Sequence, residues 1–191
     1  METPDILRKF QEVGALLEGH FELRSGLHSN RYFQCANVLR WPRLAETLCA
    51  ALVARMRQAL GDGWKADAVV SPAMGGILVG HEVARALDLP SIFVEKEDGK
   101  LALRRFKIAA GQRLVVAEDV VTRGGRVQET IDIVRQNGAE CVAVAALVDR
   151  SGGKAAFDAP MVSLVALEPV TYEPGDCPLC KRGLPLVHPG S

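Results

Sequence analysis

Two adjacent carboxylates, Glu118 and Asp119, stand between an apolar run and a short polar segment that contains Thr122. The apolar run, residues 114–117, is rich in β-branched side chains and predicts a buried strand. From Val127 onward apolar residues recur with helical spacing, so a helix should follow the polar segment. A strand-to-helix turn offers free backbone N–H groups and the positive end of the helix dipole, which suit a phosphate. Carboxylates beside it can accept hydrogen bonds from sugar hydroxyls, and the combination indicates a ribose 5-phosphate site.

The polar segment differs from two well-known phosphate loops. No lysine follows Gly124 and Gly125, as a Walker A loop would require, and the glycine spacing of a dinucleotide-binding fingerprint is missing. The two glycines would let the backbone come close to an anion. Taken alone, the stretch leaves an ordinary strand-to-helix turn with an exposed acidic pair as the alternative.

Strands and helices alternate through the middle of the chain. Apolar runs and helical spacing give these predicted elements: strands at 67–70, 91–94, 114–117, 141–148 and 163–167, and helices at 42–60, 77–87 and from 127 to a C-cap at Gly138. Such alternation is typical of an α/β fold whose mainly parallel sheet is flanked by helices on both faces.

Ligands of parallel sheets gather where the strands end. Four segments follow predicted strands at that edge, and each is polar, glycine-containing or basic: 71–76, 95–107, 118–126 and 149–153. This coincidence favours one shared ligand site over four unrelated turns. Residues 95–107 are strongly charged and predict either a solvated hairpin or a mobile lid over a ligand.

A segment of different character precedes the α/β pattern. A helix is expected to start with Thr3 as its N-cap and Pro4 in its first turn. The expected buried stripe of this helix is Ile6, Phe10, Val13 and Leu17. The stretch 21–34 predicts two short strands around a Ser/Gly/Asn turn. It is either a solvated connector or a cap that presents an arginine and planar side chains to a flat ligand.

Composition argues against several classes of protein. The chain has 191 residues and a formal net charge of zero, so long-range attraction to nucleic acid or to a membrane is not indicated. The longest apolar stretch is too short to span a bilayer, and the N-terminus lacks the pattern of a signal peptide. Five cysteines are too few and too unevenly spaced for a disulfide scaffold. We therefore expect a cytoplasmic protein.

The C-terminal tail holds a single CxxC motif formed by Cys177 and Cys180. Two cysteines are half of a tetrahedral zinc site. His188 is a possible third ligand, and nothing in the sequence supplies a fourth. Two reduced surface thiols are the favoured interpretation, and no metal ligand is assigned from the sequence.

The stretch 114–126 resembles the phosphoribosyl-pyrophosphate (PRPP) signature of type I phosphoribosyltransferases. In that signature an apolar strand is followed by an acidic pair, two apolar residues, a threonine and a glycine-containing loop. The resemblance implies that the acidic pair holds the ribose hydroxyls and that the loop holds the 5′-phosphate. It also implies the fold of that family, an α/β core with a small N-terminal hood.

The N-terminal segment narrows the resemblance. The pattern Phe21-x-Leu23-Arg24-Ser25-Gly26-x-His28-Ser29, followed by the aromatic pair Tyr32-Phe33, resembles that of orotate phosphoribosyltransferases. The likeness extends from residue 10 to about residue 168. It implies a single domain over 1–191, with a core at about 41–168 and a hood formed by about 1–40 together with the C-terminal tail.

The resemblance also assigns site residues. Those expected to bind PRPP are Glu118, Asp119, Val120, Val121, Thr122, Arg123, Gly124, Gly125, Arg126, Ala73, Met74, Gly75, Arg24, Lys96, Lys100 and Arg104. Of these, Lys96, Lys100 and Asp119 are expected to be catalytic. Some relatives have a lysine where this chain has Gly75, so only backbone donors are expected there. Orotate enzymes commonly carry a lysine and a histidine in the lid, but 95–107 contains no histidine.

The base is expected to lie against Thr122, Arg150, Tyr32 and Phe33, with Arg150 pairing with a carboxylate. The implied reaction transfers the phosphoribosyl group from PRPP to orotate, giving orotidine 5′-monophosphate and pyrophosphate in UMP biosynthesis. Mg²⁺ would enter bound to PRPP, and the family forms homodimers that share the lid. A purine or uracil enzyme and a PRPP-binding regulator are the alternatives. Arg150 argues against the first, and the lack of a helix-turn-helix pattern argues against the second.

Overall fold

A six-stranded sheet forms the centre of the computed structural model, which describes residues 1–23, 25–61, 63–167 and 170–189. Its strands are β3 (Ala68–Pro72), β4 (Ser91–Glu97), β5 (Lys100–Ala102), β6 (Arg113–Val121), β7 (Glu140–Asp149) and β8 (Met161–Ala166). Their order across the sheet is β5-β4-β3-β6-β7-β8, and every neighbouring pair is parallel except β4 and β5. The predicted mainly parallel sheet is confirmed.

Helices cover both faces of this sheet. They are α1 (Thr3–Glu12), α2 (Ala36–Leu39), α3 (Pro42–Leu60), α4 (Gly75–Leu87) and α5 (Gly125–Gln136). Side chains of α1, α3 and α4 share one apolar core with Val69 and Val115, whereas α5 packs in a second core with Val70 and Val116. Successive strand residues therefore enter opposite cores, as the pleat requires. This arrangement explains why the strands contain unbroken apolar runs.

The N-terminal helix differs from the prediction in two places. The Glu2 carbonyl accepts the N–H groups of Asp5 and Ile6, so Glu2 is the N-cap and Thr3 lies inside the first turn. Ile6 is buried as predicted, but Leu17 is not part of the buried stripe. The helix ends before Gly14, whose φ is +67°, and Leu17 lies on the next strand with a largely exposed side chain.

A second, three-stranded antiparallel sheet lies above the carboxyl edge of the core sheet, and we call it the hood. It consists of β1 (Leu16–Glu22), β2 (His28–Phe33) and β9 (Thr171–Tyr172), in that order. The strand pair predicted around the Ser/Gly/Asn turn is β1 and β2, although Arg24 itself lies outside the described residues. The tail, which includes α6 (Pro178–Lys181), returns to this sheet, because Val187 N donates to His20 O at 2.8 Å.

The central strand β6 is longer than predicted. Strand β6 continues through the acidic pair to Val121, because Val120 and Val121 still pair with Val148 and Asp149 of β7. Glu118 and Asp119 therefore belong to the strand and not to the turn after it.

In the part of the chain that the structure describes, no helix combines the length and apolar character needed to cross a bilayer.

Candidate active site

Three loops meet at the carboxyl edge of β3, β6 and β7. Arg126, in the first turn of α5, donates from Nη1 to the carbonyl oxygen of Ala73 at 3.0 Å and so links the loop after β6 to the loop after β3. The N–H of Arg150 donates to the carbonyl oxygen of Val121 at 2.8 Å and joins the end of β7 to the end of β6. The structure thus brings 73–75, 122–126 and 150 into one site.

The acidic pair lies against the first turn of α4. A Cβ atom at Gly75 would stand 2.7 Å from Oδ2 of Asp119, and one at Gly76 would stand 3.1 Å from Oε1 of Glu118. Only glycine permits this approach, which sets both carboxyl groups beside the N-terminus of a 13-residue helix. Asp119 is also held by its own strand, because Val120 N donates to Asp119 Oδ1 at 2.8 Å.

The two carboxyl groups of the acidic pair differ in environment. Glu118 is buried, while Asp119 is half-buried at the edge of the site. Burial, the negative charge of Asp119 and a hydrogen bond with Asp119 raise the pKa of Glu118 well above its ordinary value, and Arg126 opposes this shift. The raised pKa favours the protonated form of Glu118, which can donate, and the more exposed Asp119 is the accepting member of the pair.

We expect Glu118→Gln to stabilise the protein, and increasingly so as the pH rises. The unfolded glutamate ionises near its ordinary pKa of about 4.3, whereas the folded one keeps its proton to higher pH. In that window the folded state binds more protons, so the wild type loses up to about 1.4 kcal/mol of unfolding free energy per pH unit relative to the glutamine variant. Urea unfolding of both proteins at pH 5, 6 and 7 measures the difference.

The matched control for this prediction is Glu140→Gln, since Glu140 is exposed on β7. Its difference from wild type should not grow over the same pH range. A Glu118→Gln difference that stays flat with pH would show that Glu118 is ionised in the folded protein.

The phosphate loop after β6 opens α5. Gly124 has a φ of +78° and is the N-cap of this helix, and a Cβ there would meet the ring of Phe157 at 2.8 Å. Thr122 and Arg123 are exposed beside it. Val121, in contrast, is buried in the core below the site, so its side chain cannot face a ligand. The loop therefore offers one hydroxyl, one guanidinium and the first N–H groups of a 12-residue helix.

The loop after β3 has fewer donors than expected from the sequence. The N–H of Ala73 already donates to Val94 O at 2.7 Å, so Ala73 cannot donate from its backbone to an anion. The N–H groups of Met74 and Gly75 remain the candidates of this loop. The Ala73–Met74 peptide bond is cis.

At the end of β7, Arg150 lies against the aromatic residues of the hood. The guanidinium of Arg150 lies over the ring of Phe33 at 5.8 Å, and Tyr32 stands beside it. Among the residues that the structure describes, none accepts a hydrogen bond from the buried Nε of Arg150. Burial lowers the pKa of this guanidinium, and the neighbouring Asp149 carboxylate accepts instead from Ser151 N at 2.8 Å. The Nε–H group of Arg150 is therefore available to donate a hydrogen bond to a ligand.

Sequence reasoning missed Cys35, which lies between the hood and the acidic pair. Its Sγ is 3.9 Å from the carbonyl oxygen of Asp119, and burial together with nearby carboxylates raises the pKa of the thiol. A neutral thiol at this point fills the space beside the acidic pair without adding charge. No motif signals this role, because Cys35 and Asp119 are 84 residues apart.

The basic segment 95–107 begins as a hairpin, which is one of the two structures predicted for it from the sequence. Strands β4 and β5 are joined by Asp98 and Gly99, both with positive φ, which is the preferred two-residue hairpin turn. The Asp-Gly pair is the sequence signal for this turn. Lys100 pairs with Glu97, whereas Lys96 pairs with Leu101, so the two lysines point to opposite faces of the hairpin.

The two arginines of this segment have partners on the same segment. Arg104 forms an ion pair with Glu97 at 3.2 Å, and Arg105 forms one with Glu95 at 2.9 Å. The hairpin is also tied to α5, because Leu101 N donates to Glu129 Oε1 at 2.6 Å. In this conformation Arg104 is committed to Glu97, and it can serve a ligand only after that exposed pair separates.

The family of the chain follows from comparison with known proteins. The model of the phosphoribosyl transferase domain matches residues 35–179. The sequence resemblance rested on an apolar strand, an acidic pair, two apolar residues, a threonine and a glycine-containing loop. The structure places these residues on β6 and at the start of α5. Fold and site together thus define a phosphoribosyltransferase.

Comparison with individual proteins identifies the family within the phosphoribosyltransferases. An orotate phosphoribosyltransferase of Carboxydothermus hydrogenoformans is 48% identical over 98% of this chain and 97% of its own length. One of Caldicellulosiruptor bescii is 48% identical over 100% of this chain and 98% of its own length. The crystal structure of the Aeropyrum pernix orotate phosphoribosyltransferase superposes with a TM-score of 0.65, at 25% identity, over 85% of this chain and 95% of that chain. The chain belongs to the orotate phosphoribosyltransferase family, and the predicted resemblance is confirmed.

Proposed function

We propose that the protein transfers the 5-phosphoribosyl group of PRPP to orotate, giving orotidine 5′-monophosphate and pyrophosphate for UMP biosynthesis. Its relatives bear the name of this activity. The observation in the site that carries the proposal is Arg150, whose half-buried guanidinium lies over Phe33 with its Nε unmatched by the described residues. A planar base that bears a carboxylate satisfies both features at once.

PRPP binding divides among the loops described above. The 5′-phosphate is proposed to sit at the start of α5, on backbone N–H groups of the loop from Thr122 to Arg126. Asp119 accepts hydrogen bonds from the ribose hydroxyls. Glu118, in the protonated form that its raised pKa favours, donates a hydrogen bond to Asp119 and holds that carboxylate in place. The pyrophosphate is proposed to lie at the start of α4, on Met74 and Gly75. Arg24 stays a proposed phosphate ligand from sequence alone.

The acidic pair also fits a divalent cation that arrives with PRPP. Asp119 offers hard oxygen atoms at the rim of the site, which is the chemistry that Mg²⁺ prefers, and no dedicated protein cage is required. The metal ion would neutralise the pyrophosphate as it departs. Asp119, whose Oδ1 already accepts the Val120 N–H, is thereby positioned to serve both the ribose and the cation.

In the proposed reaction the bond between C1 of the ribose and the pyrophosphate oxygen breaks, a bond from C1 to N1 of orotate forms, and the N1 proton passes to the departing pyrophosphate. Arg150 fixes the base through its carboxylate, so that N1 faces C1. The hairpin of β4 and β5 is proposed to close over the site, to exclude water from the oxocarbenium-like centre and to bring a lysine to the leaving pyrophosphate. Segment 95–107 has no histidine, so charge rather than proton transfer is its contribution.

Lys100→Ala is expected to lower kcat on the order of 100-fold while changing KM less, because a charge on the leaving group acts mainly in the transition state. Lys96→Ala is the matched comparison. Since the two lysines lie on opposite faces of the hairpin, one closed conformation presents only one of them to the pyrophosphate. Steady-state kinetics should therefore separate the variants by at least about 10-fold in kcat. Wild-type kcat in both variants would remove the hairpin from the mechanism.

We further propose a homodimer in which each hairpin reaches the site of the neighbouring subunit. Mixing Lys100→Ala chains with Asp119→Asn chains then creates dimers in which one site has both an intact acidic pair and an intact lysine. Such mixtures should recover up to about a quarter of wild-type activity once subunits have exchanged randomly. No recovery, with exchange verified by mass-tagged subunits, would mean that the hairpin serves its own chain.

The proposed organisation is one domain over 1–191, with the core at about 41–168 and the hood completed by the tail. The proposed location is the cytoplasm, which agrees with five cysteines that are all free.

Turnover tests the proposed function. With PRPP, Mg²⁺ and orotate present, the purified protein should form one pyrophosphate for each orotate consumed, over many turnovers per chain. The account requires catalysis, so binding of PRPP without pyrophosphate release would point to a regulator and overturn it.

A further inference from the structure

The tail cysteines do not stand alone in the structure. Cys177 is buried, which contradicts the expectation of surface thiols, and His188 lies away from it, 3.3 Å from a carboxylate oxygen of Glu22. Instead two buried histidines of the hood, His20 on β1 and His28 on β2, face the CxxC motif of the tail. The four residues form one cluster of two thiols and two imidazoles.

The spacing of this cluster matches a tetrahedral metal site. All four potential ligand atoms lie within 4.8 Å of one another. Sγ of Cys177 and Sγ of Cys180 are each 3.6 Å from Nε2 of His20, and Sγ of Cys180 is 3.3 Å from Nδ1 of His28. Zn–S bonds of about 2.3 Å and Zn–N bonds of about 2.0 Å at tetrahedral angles place sulfur and nitrogen ligands about 3.5 Å apart.

The two imidazoles are closer together than the ligands of a bound ion. Nε2 of His20 and Nδ1 of His28 are 2.8 Å apart, a hydrogen-bond distance, whereas tetrahedral zinc would hold them about 3.3 Å apart. A relative displacement of about half an ångström converts the hydrogen-bonded pair into a pair of ligands. The imidazole proton of His28 would then reside on Nε2.

A backbone carbonyl of the tail fixes the orientation of the His20 ring. Its Nδ1 lies 2.9 Å from the carbonyl oxygen of Leu184. A carbonyl can only accept, so Nδ1 carries the proton and Nε2 presents its lone pair to the thiols. Protein ligands to zinc are commonly oriented in this way, by a backbone carbonyl on the second ring nitrogen. The tail therefore supplies two ligands and also holds a third.

We propose that His20, His28, Cys177 and Cys180 bind one Zn²⁺ ion that fastens the C-terminal tail to the hood. Two thiolates and two imidazoles are the donor set that zinc prefers, and four protein ligands leave no open position for substrate. The site is therefore structural. His20 and His28 are 8 residues apart, whereas His20 and Cys180 are 160 residues apart. The ion therefore links two segments that are distant along the chain.

The site has a consequence for the base pocket. His28 begins β2, the strand that also carries Tyr32 and Phe33, and His28 pairs with Tyr172 of the short strand β9. The ion would anchor the start of β2 and hold the tail across it. We infer that zinc stabilises the hood while the chemistry takes place at the other end of that strand.

Metal content and its dependence on single residues test the proposal. Full-length protein purified without chelators, or reconstituted with Zn²⁺ under reducing conditions, should contain one zinc per chain by mass spectrometric elemental analysis. Cys180→Ser and His28→Ala should each lose most of it. His188→Ala is the matched control and should retain one zinc, because that histidine is nearest the motif in sequence but lies outside the cluster.

Cobalt keeps the test independent of any variant that fails to fold. Wild-type protein freed of zinc and titrated with Co²⁺ should develop the intense visible absorption of tetrahedral cobalt with thiolate ligands, saturating at one equivalent, and Zn²⁺ should abolish it. Removal of zinc should lower the thermal midpoint by more than about 5 °C in the absence of substrates, and Zn²⁺ should restore it. Wild type that binds neither ion, or a His188→Ala variant as depleted as Cys180→Ser, would overturn the proposal.

Discussion

Replacing Arg150 with alanine is expected to lower kcat/KM for orotate by about 100-fold or more while leaving PRPP binding close to wild type. The guanidinium lies over Phe33, and no described residue accepts from its Nε, so donor capacity remains for a bound anion. Orotate supplies a carboxylate there, and uracil does not. If substrate binding completes the burial of this half-exposed cation, the analogue that lacks the anion is rejected, because desolvation of the cation is then uncompensated.

Two comparisons make this prediction specific. Arg150→Lys retains the charge but loses the planar fork, so it should recover only part of the lost activity. Arg135→Ala removes an exposed arginine paired with Asp158 on the surface, and it should behave as wild type. PRPP affinity, measured by calorimetry with Mg²⁺ present, should be similar in all of them. An Arg150→Ala enzyme with wild-type kcat/KM for orotate would mean that another group selects the base.

Asp119→Asn is expected to lower kcat/KM for PRPP by about 100-fold, with no loss of fold. Asparagine keeps the Oδ1 atom that accepts the Val120 N–H at 2.8 Å, so the backbone of β6 should be undisturbed. It loses the charge that accepts the ribose hydroxyls and attracts the cation. It also places an amide where the carboxylate now fits against Gly75, within 2.7 Å of where a Cβ would stand.

The control for this variant is Asp132→Asn, an exposed aspartate on α5 that lies outside the proposed site. Both variants should unfold at nearly the same urea concentration, whereas only Asp119→Asn should show weakened PRPP binding. Equal PRPP kinetics for Asp119→Asn and wild type would contradict the assignment of the acidic pair. A large stability loss confined to Asp119→Asn would instead indicate a structural role.

The sequence predicted the parts of the site that a single loop carries. The order of apolar strand, acidic pair and glycine loop is local, and it placed Thr122 and Gly124 correctly at the start of a helix. The position of Arg150 followed from the rule that parallel strands end at one edge, and the pairing of Val121 with Asp149 brings it next to that loop.

Features that depend on contacts between distant segments were not predictable in this way. The sequence of β6 does not show that pairing with β7 continues past Glu118, because carboxylates are unfavourable in most strands. The approach of the tail to His20 joins residues about 160 apart, and no periodicity records it. Ala73 was expected to offer its N–H to an anion, but the parallel pairing with β4 uses that group.

The hairpin of the basic segment, in contrast, follows from a local sequence signal. Asp98 and Gly99 are flanked by alternating residues, and the Asp-Gly pair favours a two-residue turn with positive φ at both positions. The charge of the segment is compatible with a solvated hairpin and with a mobile lid, and by itself does not choose between them. The observed hairpin restricts Lys96 and Lys100 to opposite faces, which a disordered loop would not do.

The most direct test of the account is the initial rate of pyrophosphate release with PRPP and Mg²⁺ on orotate, uracil, adenine and xanthine, measured side by side with the same protein. The account predicts efficient turnover of orotate and a kcat/KM for each of the other three bases that is lower by at least about 1,000-fold. Turnover of uracil comparable to that of orotate would show that the carboxylate is not recognised. A preference for adenine or xanthine would contradict the assignment of the base site altogether.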